Sequence, residues 1–425
     1  MQENIVILGN GISGITAARH IRKRSNNRIT VISSESKYFF SRTALMYVYM
    51  GHEKIENIQP YENWFWEKNK IDLIQDYVTL IDIKNNKVNL SGGISINYDK
   101  LIIATGSRSN KFGWKGQDLN GVQGLYSLQD LEQLESNTKN ISHGVIAGGG
   151  LIGIELAEML RSRNIGVTML VREESYWDNI LPKNESEMIN RHIKEHHIDL
   201  KLSTELKEIL PDENKKVRSV IISSGEEIKC EFVGLTAGVS PNIDVVKDTG
   251  IEFKRGILVN EYLETNIENI YAAGDCAEFL DAFLYRKNIE QVWYTGRMQS
   301  EALAQTICGK RTAYVPGVWF NSAKFMDIEY QTYGLVKMNI PDEKNLYWEN
   351  DKGNKSIRIV YTDAGVIGFN LMGIRFRQET CVKWIEEKKP IEYVLKHLKE
   401  ANFDPEFYKH YEQNVRKEYQ SAKVQ

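Results

Sequence analysis

The chain opens on a sharply patterned segment. Ile5-Val6-Ile7-Leu8 is an unbroken apolar run of strand length, Gly9-Asn10-Gly11-Ile12-Ser13-Gly14 interrupts it, and Ile15-Thr16-Ala17-Ala18 begins a helical stretch. A second apolar run, Ile29-Thr30-Val31-Ile32, ends at Ser33-Ser34-Glu35. The same order returns later. Gly144-Val145-Ile146-Ala147 leads into Gly148-Gly149-Gly150-Leu151-Ile152-Gly153, then Ile154-Glu155-Leu156-Ala157, and afterwards Val167-Thr168-Met169-Leu170-Val171 and Arg172. Strands alternating with helices predict an α/β architecture, twice over. Further on, Ser356 to Tyr361 and Gly365 to Phe369 alternate and read as antiparallel strands. From about Thr380 the chain turns helical and charged, with an amphipathic pattern over Ile391 to Lys399.

Each interruption is a G-x-G-x-x-G between a strand and a helix. In the first, Gly9 permits the tight turn, Gly11 lets a pyrophosphate approach the backbone, and Gly14 lets the helix pack close to the strand. The helix start then offers free N–H groups and a positive dipole end to phosphates. Glu35, about 20 residues on, stands where an acidic side chain bonds the ribose hydroxyls of an adenosine. The second turn places Gly148, Gly150 and Gly153 in the same roles, with Leu151 and Ile152 at the helix start. Its second strand ends at Val171-Arg172 without a carboxylate, although Glu173 and Glu174 follow. A guanidinium there binds a 2′-phosphate, so the pattern predicts use of both nucleotides with a mild NADPH preference. Two such turns imply two dinucleotides, or one dinucleotide and one mononucleotide.

Bulk properties narrow the class. With 425 residues the chain suits two or three domains. A net charge of -3 points to neither nucleic acid nor a polybasic membrane anchor. No run of 18 apolar residues predicts a transmembrane segment, and no secretory signal precedes the first strand, so a cytoplasmic address is expected. The four cysteines, Cys230, Cys276, Cys308 and Cys381, lack the spacing of a disulfide framework, a zinc site or an iron–sulfur cluster. They are expected to be reduced thiols, and no metal is expected.

The chain resembles the pyridine nucleotide-dependent flavoproteins, the family of disulfide reductases, NADH oxidases and ferredoxin or rubredoxin reductases. Besides the two turns, Tyr98 to Ser107 with Ala104-Thr105-Gly106 is similar to the strand leading out of the family's FAD domain. Thr265 to Asp275, with Ala273-Gly274-Asp275, is similar to its second FAD motif, and Ala237 to Asn242, with Gly238, to the crossover back from the inserted domain. These landmarks run in family order over residues 4–335. The resemblance implies two Rossmann-like three-layer domains, an FAD domain (residues 1–112 and 243–312) interrupted by an NAD(P)H domain (113–242), plus an α+β C-terminal interface domain with a helical tail (313–425). It implies FAD and NAD(P)H as cofactors. Gly9, Gly11, Ser13, Gly14, Glu35, Ala104, Thr105, Gly106, Gly274 and Asp275 would face FAD, Asp275 bonding its ribityl chain. Gly148, Gly150 to Gly153, Arg172 and Gly238 would belong to the second nucleotide site, and Glu155 would sit beside nicotinamide and flavin as the catalytic residue.

The resemblance also separates branches. Disulfide-reducing members carry a redox cysteine soon after the first ribose-binding acid, whereas here no cysteine occurs before Cys230. Thiolate chemistry against the flavin is therefore excluded. Cys276 beside Asp275 is read as packing. Ser41 to Tyr47 is instead similar to the Arg-x-x-Leu-x-Lys segment of ferredoxin and rubredoxin reductases. Arg42 and Leu45 match, and Arg42 would contact FAD, while Tyr47 replaces the Lys. A helical run from Ser300 to Ile307 would point its N-terminus at the flavin pyrimidine. Val318 to Phe325 is similar to the Trp-Phe-Trp-Ser segment, which makes Trp319 a flavin-covering aromatic or a core residue. The implied activity is an NAD(P)H-dependent reductase of a small electron-carrier protein such as ferredoxin or rubredoxin. A peripheral NADH:quinone reductase and a flavin-based redox sensor with little turnover are the rivals. The tail would pack on its own domain, dock a partner, pair two copies as a homodimer, or lie on a membrane surface.

Overall fold

The computed structural model describes residues 2–403 and 409–422, so parts of the predicted tail (404–408 and 423–425) lie outside the described residues. The chain lays down β1 (Asn4–Leu8), α1 (Ile12–Arg22), β2 (Arg28–Ser33), β3 (Ile71–Gln75) and β4 (Lys100–Ile103). It then forms β5 (His143–Ala147), α2 (Leu151–Ser162), β6 (Gly166–Leu170), α3 (Lys183–Glu195), β7 (Ile198–Lys201) and β8 (Phe232–Leu235). Next come β9 (Ile270–Ala272) and α4 (Trp293–Ile307), followed by five strands: β10 (Phe320–Phe325), β11 (Ile328–Gly334), β12 (Lys344–Glu349), β13 (Ser356–Thr362) and β14 (Gly365–Met372). Helices α5 (Gln378–Glu386), α6 (Ile391–His397) and α7 (Glu412–Ala422) end the described chain.

These elements divide into two compact units. One holds Met1–Phe112, Gln123–Lys139 and Gly238–Pro316, the other Gly113–Val122, Asn140–Ala237 and Gly317–Gln425. The first unit contains a parallel sheet in the order β9-β4-β1-β2-β3. Ile5 pairs with Ile29 on one side and Lys100 on the other, and Ile7 with Val31 and Ile102. Both faces of β1 are covered: Ile5, Val6, Ile7 and Leu8 are all buried. That is why the strand reads as an unbroken apolar run rather than an alternating one. In the second unit β7, β6, β5 and β8 pair in parallel in that order. The expected duplicated α/β architecture is what the chain adopts.

The C-terminal strands form an antiparallel sheet in the order β10-β11-β14-β13-β12. Its core is Tyr333, Leu346, Trp348, Ile357, Ile359, Phe369 and Leu371. Cys381 and Trp384 from α5, Val394 and Leu395 from α6, and Val415 from α7 are buried in the same cluster. The described part of the amphipathic tail therefore packs its apolar face on the C-terminal sheet. Among the described residues no helix is long and apolar enough to cross a membrane. Helix α4 starts at Trp293, earlier than the expected run from Ser300. Gly296 does not break it, because that glycine is where α4 meets Ser13 of α1: a Cβ there would lie 2.5 Å from the Ser13 Oγ.

Inside the second unit a buried ion pair joins α3 to the C-terminal sheet. Arg358 donates from Nε to Glu185 Oε1 (2.7 Å) and from Nη2 to Oε2 (2.7 Å). Its remaining donors reach the side-chain oxygens of Asn345 (3.1 Å) and Asn184 (2.9 Å), and Asn370 Nδ2 donates to Glu185. The two charged side chains are 7% and 0% exposed, so an unpartnered Glu185 would be stranded without water. Arg358→Met is expected to destabilise the second unit by about 3–5 kcal/mol. The solvent-exposed Arg311, paired with Glu264, is the control, and Arg311→Met is expected to cost far less because that guanidinium stays in water. Urea midpoints of the two variants compare them directly, and equal losses would remove the special status of the buried pair.

Candidate functional site

The two glycine turns are built alike, atom for atom. Gly9 has φ 107°, and a Cβ on it would lie 2.1 Å from the Ala104 carbonyl oxygen. Gly148 has φ 133°, and its Cβ would lie 2.5 Å from the Thr236 carbonyl oxygen. One turn of helix later, a Cβ on Gly14 would sit 1.9 Å from the Gly9 oxygen, and one on Gly153 2.4 Å from the Gly148 oxygen. These four positions have no room for a side chain. Gly11 and Gly150 differ from them, since a Cβ on either would meet nothing within 4 Å. Their lack of a side chain leaves open the approach to the N-termini of α1 and α2. Neither helix start has a side-chain cap, and neither has a carboxylate in its first turn. Leu151 and Ile152 form the first turn of α2. Free N–H groups, a positive dipole end and a clear approach fit a pyrophosphate at each place.

Around the first turn the expected FAD residues gather within one unit. Ser13 is buried in α1, its Oγ wedged where Cβ atoms on Gly274 and Gly296 would stand 2.2 and 2.5 Å away. The Gly274 N–H donates to Gln299 Oε1 at 2.7 Å, which ties α4 to the second motif. Asp275 is half-buried and accepts from Ser107 Oγ (3.1 Å) and Tyr126 OH (3.3 Å). Burial raises its carboxyl above the ordinary aspartate range, against the two hydrogen bonds and Arg42. Gln291 Nε2 donates to the same Ser107 hydroxyl at 2.7 Å. Glu35 and Arg42 form a bidentate pair, Nη1–Oε1 2.8 Å and Nη2–Oε2 2.6 Å. Glu35 Oε1 also accepts from the Leu128 N–H, and Arg42 lies over the Tyr126 ring at 4.5 Å. Two residues expected to hold the cofactor separately therefore hold each other, and the acid is oriented by the base.

The crossover segments meet as a short ribbon. Ser107–Ser109 pairs antiparallel with Val239–Pro241. Asn110 N–H donates to the Gly238 carbonyl (3.1 Å), Asn242 N–H to the Gly106 carbonyl (2.9 Å), and Thr105 Oγ1 to the Asn242 carbonyl (2.6 Å). Ala104, Thr105, Gly106 and Gly238 thus lie together where the chain leaves and re-enters the first unit.

In the second unit Glu155 lies in α2 beyond the glycine turn and is half-buried. Burial, together with Glu158, pushes its carboxyl up to about 7, against the attraction of Lys324. Lys324 itself is bound to Glu158 Oε1 at 2.7 Å, which leaves Glu155 the less compensated carboxyl of the two. The fully buried Tyr176 donates its hydroxyl to the Gly150 carbonyl at 3.0 Å, bracing the turn from behind. Arg172 follows β6 as expected, but it is exposed and paired with Glu173 at 2.9 Å. Trp319 is half-buried just before β10, its carbonyl accepting from the Gly334 N–H at 2.7 Å.

Cys230, Cys276 and Cys381 are buried and Cys308 half-buried, and burial raises all four thiols. Cys276 Sγ contacts the carbonyls of Ile103 and Ala273, in keeping with a packing role. Sequence reasoning missed Tyr126, Gln291, Gln299 and Tyr176. The first, second and last lie outside any motif spacing. Gln299 carried one usable signal, a polar residue on the buried side of a helix following the Gly274-Asp275 motif.

Two phosphate-binding α/β turns in one chain, the first facing an acidic second motif, define a two-dinucleotide oxidoreductase fold. Residues 3–300 match the family described as pyridine nucleotide-disulphide oxidoreductase, and the chain belongs to that family. It is an oxidoreductase with FAD and NAD(P)H as its cofactors. It is 30% identical over 349 residues to an NADH-rubredoxin oxidoreductase of Clostridium acetobutylicum, covering 82% of this chain and 86% of that protein. It is also 30% identical to an NADH oxidase of Methanocaldococcus jannaschii, over 78% of this chain and 76% of the relative. The crystal structure of NADH:rubredoxin oxidoreductase from Clostridium acetobutylicum superposes with a TM-score of 0.72 at 28% identity, covering 93% of this chain and all of that one.

The position of Glu155 has a consequence for stability. Its folded pKa of about 7 lies above the unfolded value of about 4.3, so the native state binds this proton more tightly. Its contribution to stability is therefore full below the unfolded pKa and falls as pH rises toward 7. Glu155→Gln is expected to raise Tm relative to wild type at pH 8, with the gain shrinking toward pH 4.5. A Tm difference independent of pH would contradict this assignment.

Proposed function

We propose that the chain takes a hydride from NAD(P)H onto FAD and passes electrons to a small electron-carrier protein such as ferredoxin or rubredoxin. The observation that carries this reading is the pair of glycine turns with open approaches at Gly11 and Gly150 on one chain. A relative 30% identical over most of both chains, an NADH-rubredoxin oxidoreductase, supports the acceptor class. Bound flavin takes up a hydride in one two-electron step and releases electrons singly or in pairs. In this proposal the first unit holds FAD, and Gly9, Gly11 and Gly14 cradle its pyrophosphate. Glu35, oriented by Arg42, bonds its adenosine ribose. Ala104 to Gly106, Gly274 and Asp275 line the rest, with Ser13 in support. Gly148 and Gly150 to Gly153 take the nicotinamide nucleotide, Gly238 lies at the crossover, and Trp319 is the aromatic on the acceptor side. Glu155 holds or releases a proton beside the second turn near neutral pH. Buried thiols with raised pKa values are poor nucleophiles, which supports a flavin that works without cysteine partners. The absence of a membrane-crossing helix among the described residues is compatible with a cytoplasmic protein.

Three measurements test this. Steady-state turnover is expected to be faster with rubredoxin or ferredoxin than with a soluble quinone, and a quinone preference would replace the carrier reading. Gly11→Ala and Gly150→Ala have room for a methyl group in the fold and are expected to keep native circular dichroism. The first is expected to purify with less FAD, the second to keep FAD and raise KM for NAD(P)H, whereas the same defect in both would undo the division of labour. Arg172→Ala is expected to cost about 1.5–3 kcal/mol in kcat/KM with NADPH and little with NADH. Equal losses would remove Arg172 from nucleotide selection.

A further inference from the structure

Away from both glycine turns, the second unit brings two histidines and a carboxylate together. His192 lies in the last turn of α3 and His196 follows directly after the helix, so the four-residue spacing sets both imidazoles on one face. Asp327 sits across from them in the tight Met326-Asp327 turn between β10 and β11. His192 Nε2 is 2.5 Å from Asp327 Oδ1, and His196 Nε2 is 3.4 Å from the same oxygen. The three potential ligand atoms all lie within 4.8 Å of one another. A tetrahedral ion bound to nitrogen and oxygen at about 2.0–2.2 Å needs its ligand atoms roughly 3.3–3.6 Å apart. His196 Nε2 and Asp327 Oδ1, 3.4 Å apart, already stand at that spacing, and the His192–Asp327 contact at 2.5 Å would open to it on binding.

The far side of each ring is arranged as well. His196 Nδ1 lies 2.9 Å from the His192 carbonyl oxygen, which only accepts. Nδ1 of a neutral His196 therefore carries the proton, and the Nε2 lone pair faces Asp327. His192 Nδ1 faces Glu195 Oε2 at 3.5 Å, so a carboxylate backs the first ring as a carbonyl backs the second. A metal-ligating histidine is oriented in just this way by an acceptor behind it. The His192 side chain is 7% exposed and Asp327 73%, so the cluster has a dry base and a wet mouth.

We propose that His192, His196 and Asp327 bind one divalent d-block cation of the zinc class, with water completing the coordination. Two imidazoles and one carboxylate suit zinc, cobalt or nickel and disfavour the all-oxygen preferences of magnesium and calcium. The ion would clip the C-terminal end of α3 to the β10–β11 hairpin, and it takes no part in flavin or nicotinamide chemistry. Binding to the native state alone would stabilise it by mass action.

The test uses the untagged, FAD-loaded protein, stripped with a chelator and titrated with Zn2+ alone at pH 7.5 by calorimetry and thermal melting. One equivalent is expected to bind and raise Tm. His196→Ala and Asp327→Asn change groups at the solvent side, and each is expected to weaken binding by at least about tenfold, whereas His197→Ala leaves it unchanged. Co2+ is expected to give visible d–d absorption bands in wild type that either variant abolishes. The proposal is overturned if no stoichiometric binding occurs. It is equally overturned if affinity is the same in wild type and both variants, or if Co2+ gives bands that survive them.

Discussion

The close approach of backbone to backbone at each glycine turn is the constraint on which the rest depends. Helix α1 can start directly after β1 only because the Gly14 Cα rests on the Gly9 carbonyl, where a methyl group would stand 1.9 Å from the oxygen. Repeated at Gly153 and Gly148, that contact aims a helix N-terminus at the end of a central parallel strand twice. The surrounding elements secure this placement: β2 accepts the Gly9 N–H at Ile32, and β6 accepts the Gly148 N–H at Leu170. The glycines that touch backbone shape the fold, and Gly11 and Gly150, which touch nothing, leave the approach open for phosphate.

Charge within each unit is then handled by burial and pairing. Glu35 keeps two strong donors, the Arg42 guanidinium and the Leu128 N–H, and so remains a fixed acceptor. Asp275 accepts hydrogen bonds only from hydroxyls, and burial raises its carboxyl against those bonds and the pull of Arg42. Burial, and next the neighbouring Glu158 whose lysine partner is already engaged, bring the Glu155 titration up to about 7. Asp275 and Glu155 thus both hold their protons more tightly than ordinary carboxyls, and in each burial is the main cause.

The C-terminal part follows a different economy. Its sheet covers itself with the tail helices α5, α6 and α7, so the charged end of the chain is a lid on its own core. It is joined to α3 by the buried Arg358–Glu185 pair and by the histidine–aspartate cluster at the end of that helix. Polar cross-links of this kind add little net stability for their desolvation cost, while breaking one leaves a buried charge without a partner.

Local pattern alone was enough to read the duplicated strand–turn–helix units and the antiparallel strands near Ser356 and Gly365, while the Ala104-Thr105-Gly106 and Gly274-Asp275 landmarks came from the family resemblance. Each depends on residues adjacent in the chain: a glycine where no Cβ fits, an apolar run where both sheet faces are covered. Helix α4 starts at Trp293, before the expected Ser300, and Gly296 within it packs against Ser13, a contact between residues far apart in the chain. Tyr126, Gln291 and Tyr176 had no local signature, since their roles depend on oxygens of Asp275, Ser107 and Gly150 far along the chain. Only the tertiary structure decided that Arg42 pairs with Glu35, that Arg172 pairs with Glu173 at the surface, and that Glu155 titrates near neutral pH. Pairing and desolvation depend on which groups folding brings within a few ångströms, and a linear pattern contains that information only where sequence neighbours are also neighbours in space.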